Sequence, residues 1–181
     1  MEREEALNLV KSKVSQKNLV KHMLATEAVM KRLARHFKAE EELWGLAGLI
    51  HDLDYQDTVD NPDMHALITA DILREKGLSE EIIRAVKVHA WKAEAESKMD
   101  WALYATDPTT GFIVACALMH PTKKLASLDL QFLLNRFKEK RFAAGANREQ
   151  MQTCEKIDLS LEEFLSMALE AMQSISGELG L

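Results

Sequence analysis

Residues 46–55 read LAGLIHDLDY, an apolar run that ends in the adjacent pair His51 and Asp52. Burying an imidazole beside a carboxylate behind Leu46, Leu49 and Ile50 is costly unless both are satisfied, and a bound metal ion satisfies both at once. The rest of the chain is therefore read for helices that could bring further ligands to this pair.

Working outward, Glu40 to about Asp52 carries Leu43, Trp44, Ala47 and Ile50 at helical spacing and delivers His51 and Asp52 at its C-terminal end. Before it, Glu2–Val14 and Leu19–Phe37 read as two helices separated by Ser15–Asn18. On the second, Ala25, Val29 and Leu33 share a stripe with His22, so His22 faces the core. After it, Leu53–Pro62 holds three carboxylates and a proline and reads as an acidic loop. Met64–Lys76, closed by Gly77, places His65 with Ile68 and Ile72, and a helix N-capped by Ser79 places His89 with Ile82, Ala85 and Val86. Four histidines on four expected helices point inward.

Asp100 to about His120 is strongly apolar but contains Asp107-Pro108, a common N-cap and first-turn pair, so one helix is expected to end and another to begin there. Leu128–Phe142, a segment opened by Asn147, and Leu161–Ser176 with a Ser160/Glu163 capping box complete an all-α reading. Composition agrees: hydrophobic residues are 47% of the 181, whereas Gly (7) and Pro (3) are scarce. A single domain over 1–181 is expected. Cys116 and Cys154 lack metal-type spacing and read as reduced core thiols, which points to the cytoplasm. The charged first helix is no signal peptide, and no run is read as approaching the roughly 18 apolar residues of a membrane span. A net charge of −6 disfavours nucleic acid and anionic membranes as partners. The sequence assigns no oligomeric state.

The inward polar set is thus His22, His51, Asp52, His65, His89 and Asp107. Such a set, projecting from separate helices into one bundle, suits one or two borderline divalent ions, Fe, Mn, Co, Ni or Zn, with Asp52 the obvious bridge between two. Ions of this kind acidify water and polarise phosphoryl oxygens. His36, 14 residues from His22 in the sequence, lies roughly 21 Å away along a helix and is excluded. His120, before Pro121, reads as a helix-end residue.

The order His22, His51-Asp52, His65, His89, Asp107 resembles the HD superfamily of metal-dependent phosphohydrolases over about residues 18–120, with helices over 125–181 added to that core. The two histidines between the HD pair and the last Asp resemble the dinuclear members. The chain as a whole, including GFIVACAL at 111–118, is similar to an HDIG-like group of bacterial and archaeal predicted hydrolases. The resemblance implies that His22, His51, Asp52 and Asp107 hold one metal and His65 and His89 a second, with Asp52 shared. Where many relatives read HD-Ile-Gly, this chain reads His51-Asp52-Leu53-Asp54, so Asp54 is a candidate supporting acceptor or proton-transfer group beside Asp52.

The expected activity is hydrolysis of a phosphoric ester or anhydride in a nucleotide or other small phosphorylated metabolite. Lys123, Lys124, Arg136, Lys138, Lys140 and Arg141 are candidate phosphate contacts. Two other readings compete: a non-catalytic metal- or ligand-binding regulatory module, and a di-iron oxygenase, since inositol oxygenase resembles this scaffold and its six ligands.

Overall fold

The apolar stripe of α2 (Lys17–Phe37), which buries Met23, Val29, Met30 and Leu33, packs along α3 (Glu41–Ile50) in a computed structural model that describes residues 1–181. The two helices approach closely because Gly48 has no side chain: a Cβ there would lie 2.9 Å from the Thr26 backbone. α1 (Arg3–Lys13) covers α3, and its Arg3 clamps the buried Glu27 of α2 by donating from Nε and Nη2 to its two carboxylate oxygens. A short helix α4 (Tyr55–Thr58) and a 3-10 turn at Pro62–Met64 lead to α5 (Leu67–Glu75) and α6 (Glu80–His89). The chain is all-helical, as its composition predicts.

α7 (Lys98–Met119) is the central helix, packed on α6, α2 and the later segments. α8 (Leu130–Phe137), α9 (Arg148–Gln152), α10 (Leu161–Ser174) and α11 (Ser176–Leu179) follow. The capping box of Ser160 with Glu163 forms, and Asn147 caps α9 through its side chain. Leu165, Met167, Leu169 and Met172 of α10 are buried, so this helix closes the bundle over α2 and α7. One hydrophobic cluster of 44 buried residues runs from Ala6 to Leu179. Both cysteines are free and buried, and burial raises the thiols of Cys116 and Cys154 to about 12 and about 11.

Five expectations need correction. No helix boundary falls at Asp107-Pro108: α7 runs through it, because the Tyr104 carbonyl that Pro108 deprives of its N–H accepts instead from Nε2 of Gln150, at 2.8 Å. His65 is not on a helix. It precedes α5, and Ala66 behind it takes a left-handed φ of 67°. Ser79 stands at the N-cap of α6 without a side-chain bond, whereas Ser97 and Asp100 form an unforeseen capping box on α7. The helix expected over Leu128–Phe142 stops at Phe137, and Arg148 gathers the chain beyond it by donating to the carbonyls of Phe137, Phe142, Ala143 and Ala146. Finally, α7 is long and apolar enough to cross a membrane by length and composition, yet 56% of its most apolar window is buried within the bundle.

Candidate metal centre

The six polar residues of the sequence reading are brought together where the N-terminal part of α2 and the C-terminal ends of α3 and α6 meet the middle of α7. His22 comes from the exposed end of the α2 stripe, His51 from the C-cap of α3, His89 from the last residue of α6 and Asp107 from the middle of α7. Asp52 follows His51 directly, and His65 arrives from the turn before α5.

Each imidazole is oriented through Nδ1. His51 Nδ1 meets the Gly48 carbonyl at 2.8 Å, and His89 Nδ1 meets the Val86 carbonyl, one turn back on its own helix. His65 Nδ1 meets Oδ1 of Asp54 at 2.9 Å. His22 Nδ1 meets the Thr110 hydroxyl at 2.9 Å, and that hydroxyl donates to the Asp107 carbonyl, so it accepts from His22. All four partners are acceptors, so each Nδ1 carries a hydrogen and each Nε2 is turned inward.

The Nε2 atoms of His22 and His51 lie 3.2 Å apart and those of His65 and His89 3.1 Å apart. Two Nε2 lone pairs at that distance need positive charge between them, which a proton supplies in the metal-free protein and a bound cation would supply in its place. The carboxylates complete the pattern. Oδ2 of Asp52 is 3.6 and 3.5 Å from Nε2 of His22 and His51, whereas Oδ1 is 3.4 and 3.3 Å from Nε2 of His65 and His89. Asp107 Oδ1 stands 3.1 Å from His22 Nε2 and 3.7 Å from His51 Nε2. Two groups result, His22/His51/Asp52/Asp107 and Asp52/His65/His89, each with its donor atoms within 4.8 Å of one another. One carboxylate faces both groups with different oxygens.

Electrostatics match this geometry. Burial disfavours a charged His51, but Asp52 and Asp107 outweigh it and hold the imidazole up at about 9. Burial likewise opposes ionised Asp52, yet His51, His89 and His22 keep it at about 2. Asp107 is held well below the usual carboxylate range by His22 and His51. The cluster is a set of anionic and lone-pair donors that draws positive charge inward. The residues fit divalent ions of the borderline class, whose preferred ligands are imidazole and carboxylate.

Asp54 is 1% exposed and spends its carboxylate on structure. Oδ1 accepts from His65 and from the Ala66 N–H at 3.2 Å, and Oδ2 accepts from the Thr69 N–H at 2.7 Å. Against its desolvation, these bonds lower its pKa. It fixes both the His65 ring and the entry to α5. Of the basic candidates, Arg136 is tied to Glu139 at 2.9 Å and Lys123 and Lys124 are exposed on the loop after α7. Sequence reasoning passed over Lys21 and Asn18, which share with His22, Thr110 and Gly111 the wall of a cavity of about 510 Å³. Lys21 was signalled only by being next to His22, and Thr110 only by lying one turn beyond Asp107.

The side chains of His22, His65 and Asp107 remain 21%, 19% and 28% exposed, so the centre opens to solvent on that side. His51 and His89 form its floor. A search of curated proteins gives no match. The family model for the HD domain does match, over residues 19–161, a span that holds all six side chains and extends past α7 as far as the start of α10. The chain belongs to the HD-domain family, a superfamily of metal-dependent hydrolases.

Proposed function

We propose that this protein is a metal-dependent phosphohydrolase that cleaves a phosphoric ester or anhydride in a small phosphorylated metabolite, using His22, His51, Asp52 and Asp107 for one divalent ion and Asp52, His65 and His89 for a second. The observation that carries the reading is the convergence of four Nε2 atoms, on rings anchored through Nδ1, on a carboxylate that meets them with both oxygens. When bound, such ions supply an acidified water and withdraw charge from phosphoryl oxygens.

The chain's own residues do the rest. Thr110, Gly48, Asp54 and Val86 fix the orientation of four rings before any ligand arrives, which lowers the ordering cost of the centre. Asp54 acts through His65 and is a positioning residue. Lys21 and Asn18 offer a cation and an amide to the anion along the adjoining cavity.

Solvent access favours a catalytic centre over a structural one, since structural sites close their coordination shell. The test is a phosphomonoester, phosphodiester and nucleotide panel run on protein loaded in turn with Mn, Fe, Co, Ni and Zn. Turnover with at least one metal is expected, and Asp52→Ala should lower it by more than about a hundredfold, as loss of a bridging ligand implies. Oxygen consumption by the iron form without any phosphate release would favour the oxygenase reading instead.

A further inference from the structure

Two residues beyond His89 the chain carries an exposed, strained tryptophan, Trp91, that the metal site does not explain. α6 closes with a Schellman pattern: the Lys92 N–H donates to the Lys87 carbonyl and the Trp91 N–H to the Val88 carbonyl, both at 2.8 Å. The residue that must adopt the left-handed conformation there is Trp91, with φ of 58°. Glycine is the usual occupant because a Cβ is disfavoured in that region, most of all on a bulky residue. Burial does not offset the strain, because Trp91 is 62% exposed.

The ring has a definite seat. It leans on Tyr104 with centroids 5.0 Å apart and planes 35° apart, and Trp101 flanks both rings at about 6 Å. Tyr104 precedes Asp107 by one helical turn, so the two share a face of α7. Trp91 follows His89 by two residues. Its free side borders a groove of about 590 Å³ floored by Lys92–Ala95 and Trp101. Lys92 reaches Asp63 at 3.8 Å, tying this rim to the segment that carries His65.

Resting on the phosphohydrolase reading, we propose that Trp91, backed by Tyr104, is a stacking subsite for a planar aromatic ring in the substrate, the ring of a phosphoester whose phosphate sits at the metal centre. A tryptophan face stacks any flat π-system, whether a heteroaromatic base or a simple aryl group. The left-handed turn holds the indole out of the core and against Tyr104, one helical turn from Asp107.

The test uses the full chain loaded with Mn(II) and three probes: adenosine monophosphate, para-nitrophenyl phosphate and glycerol phosphate. Wild type is expected to cleave at least one aromatic ester with kcat/KM about tenfold or more above glycerol phosphate, the scale of one stacked ring. Preference between the two aromatic esters identifies base or aryl group. Trp91→Gly should bring the aromatic preference to about unity through KM, while raising Tm by about 2–4 °C as the left-handed position is relieved. Trp91→Phe should restore most of the preference. Equal cleavage of all three probes by wild type, or a preference unchanged in Trp91→Gly, overturns the subsite and leaves the hydrolase reading standing. Should wild type cleave no phosphoester, that reading fails, and quenching of tryptophan fluorescence by adenosine decides the subsite alone. Saturable quenching lost in Trp91→Gly supports it, and no quenching overturns it.

Discussion

Four imidazoles meet at this centre with their Nδ1 hydrogens already committed, and that decides what the opposite nitrogens can do. The residue types were legible in the sequence because His22, His65 and His89 sit in apolar helical patterns and His51-Asp52 ends an apolar run. The fixing partners were not, since two of them are the backbone carbonyls of Gly48 and Val86 and one is the hydroxyl of Thr110, a residue with no sequence mark. Asp54 was visible as an acceptor but not as one whose two oxygens are fully engaged. His51 gives this scale its prediction. Its folded pKa of about 9 exceeds the ordinary 6.5. A raised folded value contributes stability that is complete below the unfolded pKa and is lost as pH rises through the folded one. Metal-free protein should therefore melt at progressively lower temperature from pH 6.5 to pH 9, and saturating Mn(II), which takes the proton's place, should flatten that decline. Thermal melts in chelator and in metal across this range check it; a flat metal-free profile would contradict the charge balance described for His51.

The elements carry the lesson of Pro108. Local rules read Asp107-Pro108 as a helix start, and taken alone they are right, because proline removes a hydrogen bond and crowds the preceding turn. Tertiary structure overrides them: Gln150 of α9, distant in sequence, supplies the missing donor to Tyr104, so α7 continues and Asp107 projects from its middle into the centre. No single-sequence pattern marks that contact. Gln150→Leu should lower stability by about 1 kcal/mol, the net value of one hydrogen bond with its acceptor left unpaired. In a Pro108→Ala background, where the backbone N–H returns, the same change should cost much less, and urea unfolding of the four proteins measures the difference. Equal costs in both backgrounds would show that Gln150 does not compensate for the proline. The α3 boundary, by contrast, was read well from periodicity, whereas the fourth expected helix began too early because the αL turn at Ala66 is set by Asp54 rather than by its own sequence.

For the whole molecule, helix-rich composition and periodic apolar faces sufficed to predict an all-α bundle, because α3, α6 and α10 each pack against α2 or α7. The C-terminal helices join the same bundle: α9 and α10 pack on α7, and the family match runs on through Leu161. The bundle converts six side chains scattered between residues 22 and 107 into two donor groups that share Asp52. The most direct test is the number of ions retained per chain after metal-free protein is loaded with Mn(II) and freed of excess metal, counted by elemental analysis. Two ions per chain are predicted for the wild type, one for each group, and fewer for Asp52→Ala, which removes the shared carboxylate. Wild-type protein that retains no metal, or an Asp52→Ala variant that retains as much as the wild type, would contradict the assignment of these residues as a metal centre bridged by Asp52.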